Sequence, residues 1–175
     1  MASVAAAQVP ALHGMKVIEA VKSANVEYVV AVPDLHTSKG LLFPIAADKN
    51  LKLIRVCKED ETLGISAGLS YANKRTLLLF QYTGFLYAVN AIRGVAVEHK
   101  HPMCMMIGLL GKEPGVAPQE SARYGVRIIE PIIDAMGIER HLVETDADLG
   151  KIAPAINKAY ETSRPVAILI GGRPN

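Results

Sequence analysis

Apolar positions along the chain fall into two alternating patterns. Residues 12–24, 41–48, 59–73, 87–99, 128–136 and 149–162 carry apolar side chains three and four apart, the spacing of one helix face. Between them lie short runs with no polar side to spare, at 28–32, 53–56, 76–81, 103–107, 140–143 and 166–170. Strands that are apolar on both faces suit a parallel sheet covered by helices on each side. The repeated alternation therefore predicts an α/β protein, a three-layer sandwich around a mainly parallel six-stranded sheet. Ligands of such sheets gather outside the carboxyl ends of the strands, which directs attention to the segments after Val32, Val56, Gln81, Ile107 and Val143. The one long irregular stretch is 108–127, and no fixed short repeat or low-complexity tract interrupts the pattern.

Composition narrows the picture. With 175 residues, 50% hydrophobic and 21% charged, the chain has the makings of one globular domain, expected over 11–175. Residues 1–10 are Ala-rich, lack the basic start and apolar stretch of a secretory signal, and are expected to form a flexible N-terminal tail. No apolar run approaches the roughly 20 residues that cross a bilayer, so a membrane role is not expected. The net charge is +2 and the basic residues are scattered along the sequence, which offers no stripe for a nucleic-acid backbone. Cys57 and Cys104 both sit in apolar strand-like runs and are expected to be buried, reduced thiols, pointing to the cytoplasm.

Phosphate-binding signatures are missing: there is no spaced-glycine dinucleotide pattern, and Gly108-Leu109-Leu110-Gly111-Lys112 is too short for a Walker loop. His99 and His101 have a spacing that can chelate, but without an accompanying Cys or carboxylate cluster they read as a solvated helix end, and no metal ligands are predicted. Glu59-Asp60-Glu61 admits two readings. Acidic residues in a first helical turn are favoured by the helix dipole; a carboxylate just past a buried strand is also where catalytic acids are found. On the same helix Gly64, Ala67, Gly68 and Tyr71 make one face nearly flat, which lets another backbone approach, in this chain or a partner. Thr83-Gly84 reads as a sharp strand exit. Asp34, in Val32-Pro33-Asp34, is either a helix cap or a polar group facing substrate.

Together these segments resemble the thiamine-diphosphate-dependent decarboxylases, in particular the sulfopyruvate and phosphonopyruvate group, over nearly the whole chain. The run from Glu59 to Gly68 resembles the segment whose glutamate contacts the aminopyrimidine of the cofactor. Gln81-Tyr82-Thr83-Gly84 with Val89-Asn90-Ala91 resembles the exit that frames that ring, and Val32-Pro33-Asp34 the first active-site loop. Glu113-Pro114-Gly115, Pro118-Gln119 and the segment from Asp134 to Ile138 also match.

The resemblance implies a pyrimidine-binding domain acting as an α subunit. Glu59 would be the catalytic residue, Thr83, Gly84 and Asn90 would help it bind the cofactor, and Pro33, Asp34 and Tyr82 would face the substrate. No Gly-Asp-Gly, the family's diphosphate-anchoring motif, occurs in the sequence, so a β subunit would carry the diphosphate and its Mg2+. Self-association is also expected. The substrate would be a small 2-oxo acid, which the cofactor would decarboxylate by acting as an electron sink. Two alternatives stay open: a carboligase subunit, and a non-catalytic binding module that keeps the fold. Leu86, Tyr87, Tyr82 and Glu120 depart from the group's pattern, and Leu109 and Leu110 stand where relatives carry an aromatic residue and an arginine. That loss of a cation leaves both a sulfonate-bearing and a more apolar 2-oxo acid in play.

Overall fold

The computed structural model describes residues 11–175; the tail expected at 1–10 lies outside the described residues. Six strands form one sheet: β1 (Tyr28–Ala31), β2 (Lys52–Arg55), β3 (Thr76–Gln81), β4 (Cys104–Gly108), β5 (Glu139–Val143) and β6 (Val166–Ile170). Their order is β2-β1-β3-β4-β6-β5 and every pairing is parallel. The helices are α1 (Gly14–Ser23), α2 (Phe43–Ala47), α3 (Glu59–Tyr71), α4 (Tyr82–Ala91), α5 (Tyr124–Ala135) and α6 (Ile152–Thr162). A π-helical turn, Ser38–Leu42, leads into α2, and a second, Ile92–Glu98, continues α4.

Right-handed crossovers decide where each helix lies. From β1 to β2 and from β5 to β6 the chain steps one way across the sheet; from β2 to β3, β3 to β4 and β4 to β5 it steps the other way. The first set places α2 and α6 on one face, beside α1, and the second places α3, α4 and α5 on the opposite face. The core divides accordingly. Val29, Ala31, Leu77, Leu79, Met106 and Ile168 pack under Val17, Ile45 and Ile156, whereas Val30, Leu78, Phe80, Met105 and Leu169 pack under Leu63, Phe85 and Ile129. Each set follows the two-residue alternation of a strand. A fully buried Leu, Ile or Phe in either layer contributes about 1.5–3 kcal/mol over an exposed one. The outermost strands carry charge instead: Lys52 and Arg55 are exposed on β2 and Glu139 on β5, which blunts both free edges.

Two expectations need correction. Cys57 is exposed, because the apolar run of the β2 edge strand ends before it; Cys104, in the centre of the sheet, is buried. The helix expected from residue 87 starts at Tyr82, directly where β3 ends, so that Thr83 and Gly84 of the strand exit lie within its first turn. The basic residues, scattered in sequence, meet in space: Lys74, Arg75, His99, Lys100 and His101 line a groove at the amino-terminal edge of the sheet. There the His101 ring stands edge-on to Tyr71, with ring centroids 5.1 Å apart, and its Nδ1 lies 3.3 Å from Ser70 Oγ.

Candidate active site

The chain leaves β1 toward one face and β3 toward the other, so their carboxyl ends open a crevice of the kind in which parallel sheets hold ligands. The acidic triplet at the head of α3 beside it divides its labour. Glu61 is the helix cap: its Oε2 accepts from the main-chain N–H groups of Cys57, at 2.9 Å, and Lys58, at 3.0 Å. Asp60 points to solvent. Glu59 is half-buried, and its side chain lies against Gly84 so closely that a methyl group there would collide with its Cγ, Cδ and Oε1. Its main-chain carbonyl accepts from Thr62 Oγ1, and its carboxylate takes part in no ion pair among the described residues. Glycine at 84 is thus explained by close approach.

The other expected site residues are placed unevenly. Tyr82 opens α4, half-buried, with its ring against Gly125. Thr83 is exposed beside it, donating from Oγ1 to Gln81 Oε1 at 3.1 Å. Pro33 and Asp34 follow β1 at the same crevice, but the Asp34 carboxylate is spent on closing its own turn ahead of the helix. Its Oδ1 accepts from the N–H groups of His36, at 2.5 Å, and Thr37, at 2.8 Å, and its Oδ2 from Thr37 Oγ1. Asn90 is not brought to Glu59. It lies six residues beyond Gly84, about 9 Å along the helix axis, and accepts from Arg93 through Oδ1.

A second crevice lies at two of the strand exits the sequence points to, those after Ile107 and Val143, though no residue of it is among the predicted site residues. The chain leaves β4 toward one face and β5 toward the other, with β6 between them, and over their carboxyl ends lies a cavity of about 660 Å³. His36, Leu110, Lys112, Glu144, Thr145 and Arg173 are among its lining residues; Glu59, Gly84 and Tyr82 are not. The Lys112 side chain has no solvent exposure and pairs with Glu144, which is 32% exposed. His36 Nε2 lies 3.0 Å from the Ile170 carbonyl, and burial holds its pKa below the ordinary value against the raising influence of Asp34. Glu144 directly after β5, and Lys112 four residues after β4, are the signal in the sequence that points here. Among the described residues no group of three His, Cys, Asp or Glu side chains is placed to hold a metal ion, and no helix is long and apolar enough to cross a membrane.

A parallel α/β sheet with an acidic helix head at its first crevice defines a broad class of protein, and comparison with known proteins narrows it. No protein-family profile matches the chain. The sulfopyruvate decarboxylase subunit alpha of Methanocaldococcus jannaschii is 30% identical over 158 residues, covering 89% of this chain and 90% of that one. The subunit alpha of Methanococcus maripaludis is 30% identical over 66% of this chain and 70% of its own. A sulfopyruvate decarboxylase of Methanosarcina acetivorans is 26% identical over 89% of this chain but only 39% of its own length. The chain belongs to the family of sulfopyruvate decarboxylase alpha subunits.

Proposed function

We propose that this chain is the α subunit of a heteromeric, thiamine-diphosphate-dependent decarboxylase of small 2-oxo acids, and that Glu59 is its catalytic residue. The observation that carries the reading is the Glu59 carboxylate, lodged against Gly84 at the carboxyl edge of the sheet and left out of the main-chain hydrogen bonding that occupies Glu61 and Asp34. A group aligned in this way, with no ion-pair partner among the described residues, is suited to hold a proton against a ring nitrogen of a bound aminopyrimidine. Gly84 keeps the glutamate at that position, while Tyr82 and Thr83 border it. Thiamine diphosphate, when bound, supplies the electron sink that a 2-oxo acid needs to release carbon dioxide.

The diphosphate end and its Mg2+ are assigned to a β subunit. Relatives matched over most of their length are named as subunits alpha, while the Methanosarcina acetivorans relative, more than twice as long, carries the enzyme name without a subunit label. The surface of α3 supports such a partner. Among the described residues nothing beyond the helix's own backbone and the adjoining residues lies within 4 Å of the Cβ position at Gly64 or Gly68, and Tyr71 is 79% exposed. The flat face expected from the sequence is therefore open to another subunit. Coexpression with a β subunit, followed by assay of carbon dioxide release from 2-oxo acids with and without thiamine diphosphate, tests the proposal. Release that is indifferent to the cofactor, or no release from an assembled complex, refutes it.

A further inference from the structure

We infer that Arg123 is the residue that holds the anionic tail of the substrate, its guanidinium lying across Gly111 at the exit of β4, a reading that rests on the proposed decarboxylase function. Three glycine contacts run in series from the exit of β4, through Arg123, to Glu59. At the exit of β4 the chain turns, Lys112 N donating to Leu109 O at 3.1 Å, and Gly111 adopts a φ of +84°. A Cβ at Gly111 would come within 2.9 Å of Arg123 Nε and 3.2 Å of its Cγ, so the arginine stem lies on the turn. Two residues further on, Gly125 receives the ring of Tyr82, and Tyr82 opens the helix whose Gly84 receives Glu59.

The neighbouring charges leave Arg123 available. Lys112 is fully buried, donating to Glu144 and, at 3.1 Å, to the Glu113 carbonyl. Arg127 donates from Nη1 to the carbonyls of Ser121, at 2.8 Å, and Ala122, at 3.0 Å, and its guanidinium lies 5.4 Å from the Tyr124 ring centroid. The Glu113 carboxylate is already served by Ser121 Oγ at 2.7 Å and Ala122 N at 3.1 Å. Its pKa is lowered chiefly by the Ser121 hydroxyl, with Arg123 a smaller influence. Arg123 itself is exposed and forms no ion pair among the described residues. Leu109 and Leu110 bring no charge to this turn, and Arg123 reaches it from twelve residues beyond Gly111. A guanidinium offers parallel N–H groups to two oxygens at once, which matches a sulfonate or a carboxylate.

The test compares wild type, Arg123→Ala and Arg123→Lys, each assembled with the β subunit, on sulfopyruvate and on pyruvate. Arg123→Ala should raise KM for sulfopyruvate about 10- to 100-fold, the worth of a hydrogen bond to a charged group, with kcat, thiamine-diphosphate affinity and kinetics on pyruvate held. Arg123→Lys should recover part of the loss. An unchanged KM for sulfopyruvate, an equal loss on both substrates, or a wild type active on pyruvate alone overturns this role and leaves the decarboxylase reading standing. A wild-type complex that decarboxylates neither substrate overturns both.

Discussion

Glu59 and Glu61 are two positions apart on one helix, yet only one of them is spent on the backbone. Replacing Glu59 with glutamine keeps its size and its fit against Gly84 but removes a group that can hold and release a proton. Turnover should fall at least 100-fold, as for loss of a general acid or base, while assembly with the β subunit is unchanged on size exclusion. Near-normal decarboxylation by Glu59→Gln would refute its catalytic role. The two cysteines offer a second contrast. Burial pushes the Cys104 thiol from 9.0 up to about 12, whereas Cys57 is exposed. A thiol reagent at neutral pH should modify Cys57 within minutes and reach Cys104 only on unfolding. Because the unfolded chain releases the Cys104 proton first, stability from this group is complete below pH 9 and declines as pH rises toward 12. The urea midpoint of wild type should fall over that range, and Cys104→Ala should lack that component of the slope.

Among the elements, the exits of β4 and β5 are tied by Lys112 and Glu144. Glu144→Ala would strand a fully buried ammonium beside the Glu113 carbonyl alone, at a cost of roughly 3 kcal/mol, the lower end for breaking a buried pair because Glu144 is partly exposed. Urea unfolding measures that loss, and a cost under about 0.5 kcal/mol would mean the pair is dispensable. This tie joins loops 32 residues apart, and no local pattern announces it. Regular elements were more legible: β3 and β6 begin and end at the expected residues, since each is an unbroken apolar run with polar or Gly/Pro boundaries. The start of α4 came five residues earlier than expected because Thr83 and Gly84 are weak helix formers, overridden by packing. Glu59 could be read as a site candidate because its residue type and position sufficed. Asn90 could not be placed, because its distance from the crevice depends on where α4 starts.

At the scale of the whole molecule, the two sides of the sheet are unequally covered. The layer of α3, α4 and α5 leaves Ile65, Leu69, Leu86, Val89 and Val95 half-buried, and Tyr71 and Tyr87 exposed. On the opposite side fewer apolar side chains are left partly exposed, although Met15 and Phe43 stand exposed there. A monomer gains nothing from keeping such a face, whereas a subunit does. Gly68→Arg should leave the melting temperature of the lone chain within about 2 °C, as expected for an exposed substitution with space around it, and prevent copurification with the β subunit. Retained copurification would move the partner to another face.

The position of β6 has a consequence for how the sheet comes to exist. It follows β5 in chain order but sits inside the sheet, between β4 and β5, and among the described residues β5 pairs with no other strand. As the polypeptide leaves the ribosome, β5 emerges with nothing to bond to, and the end of β4 nearest it stays bare until residues 166–170 follow. The crevice lined by Lys112 and Glu144 is then completed only once a later strand slides between two that have been waiting for it.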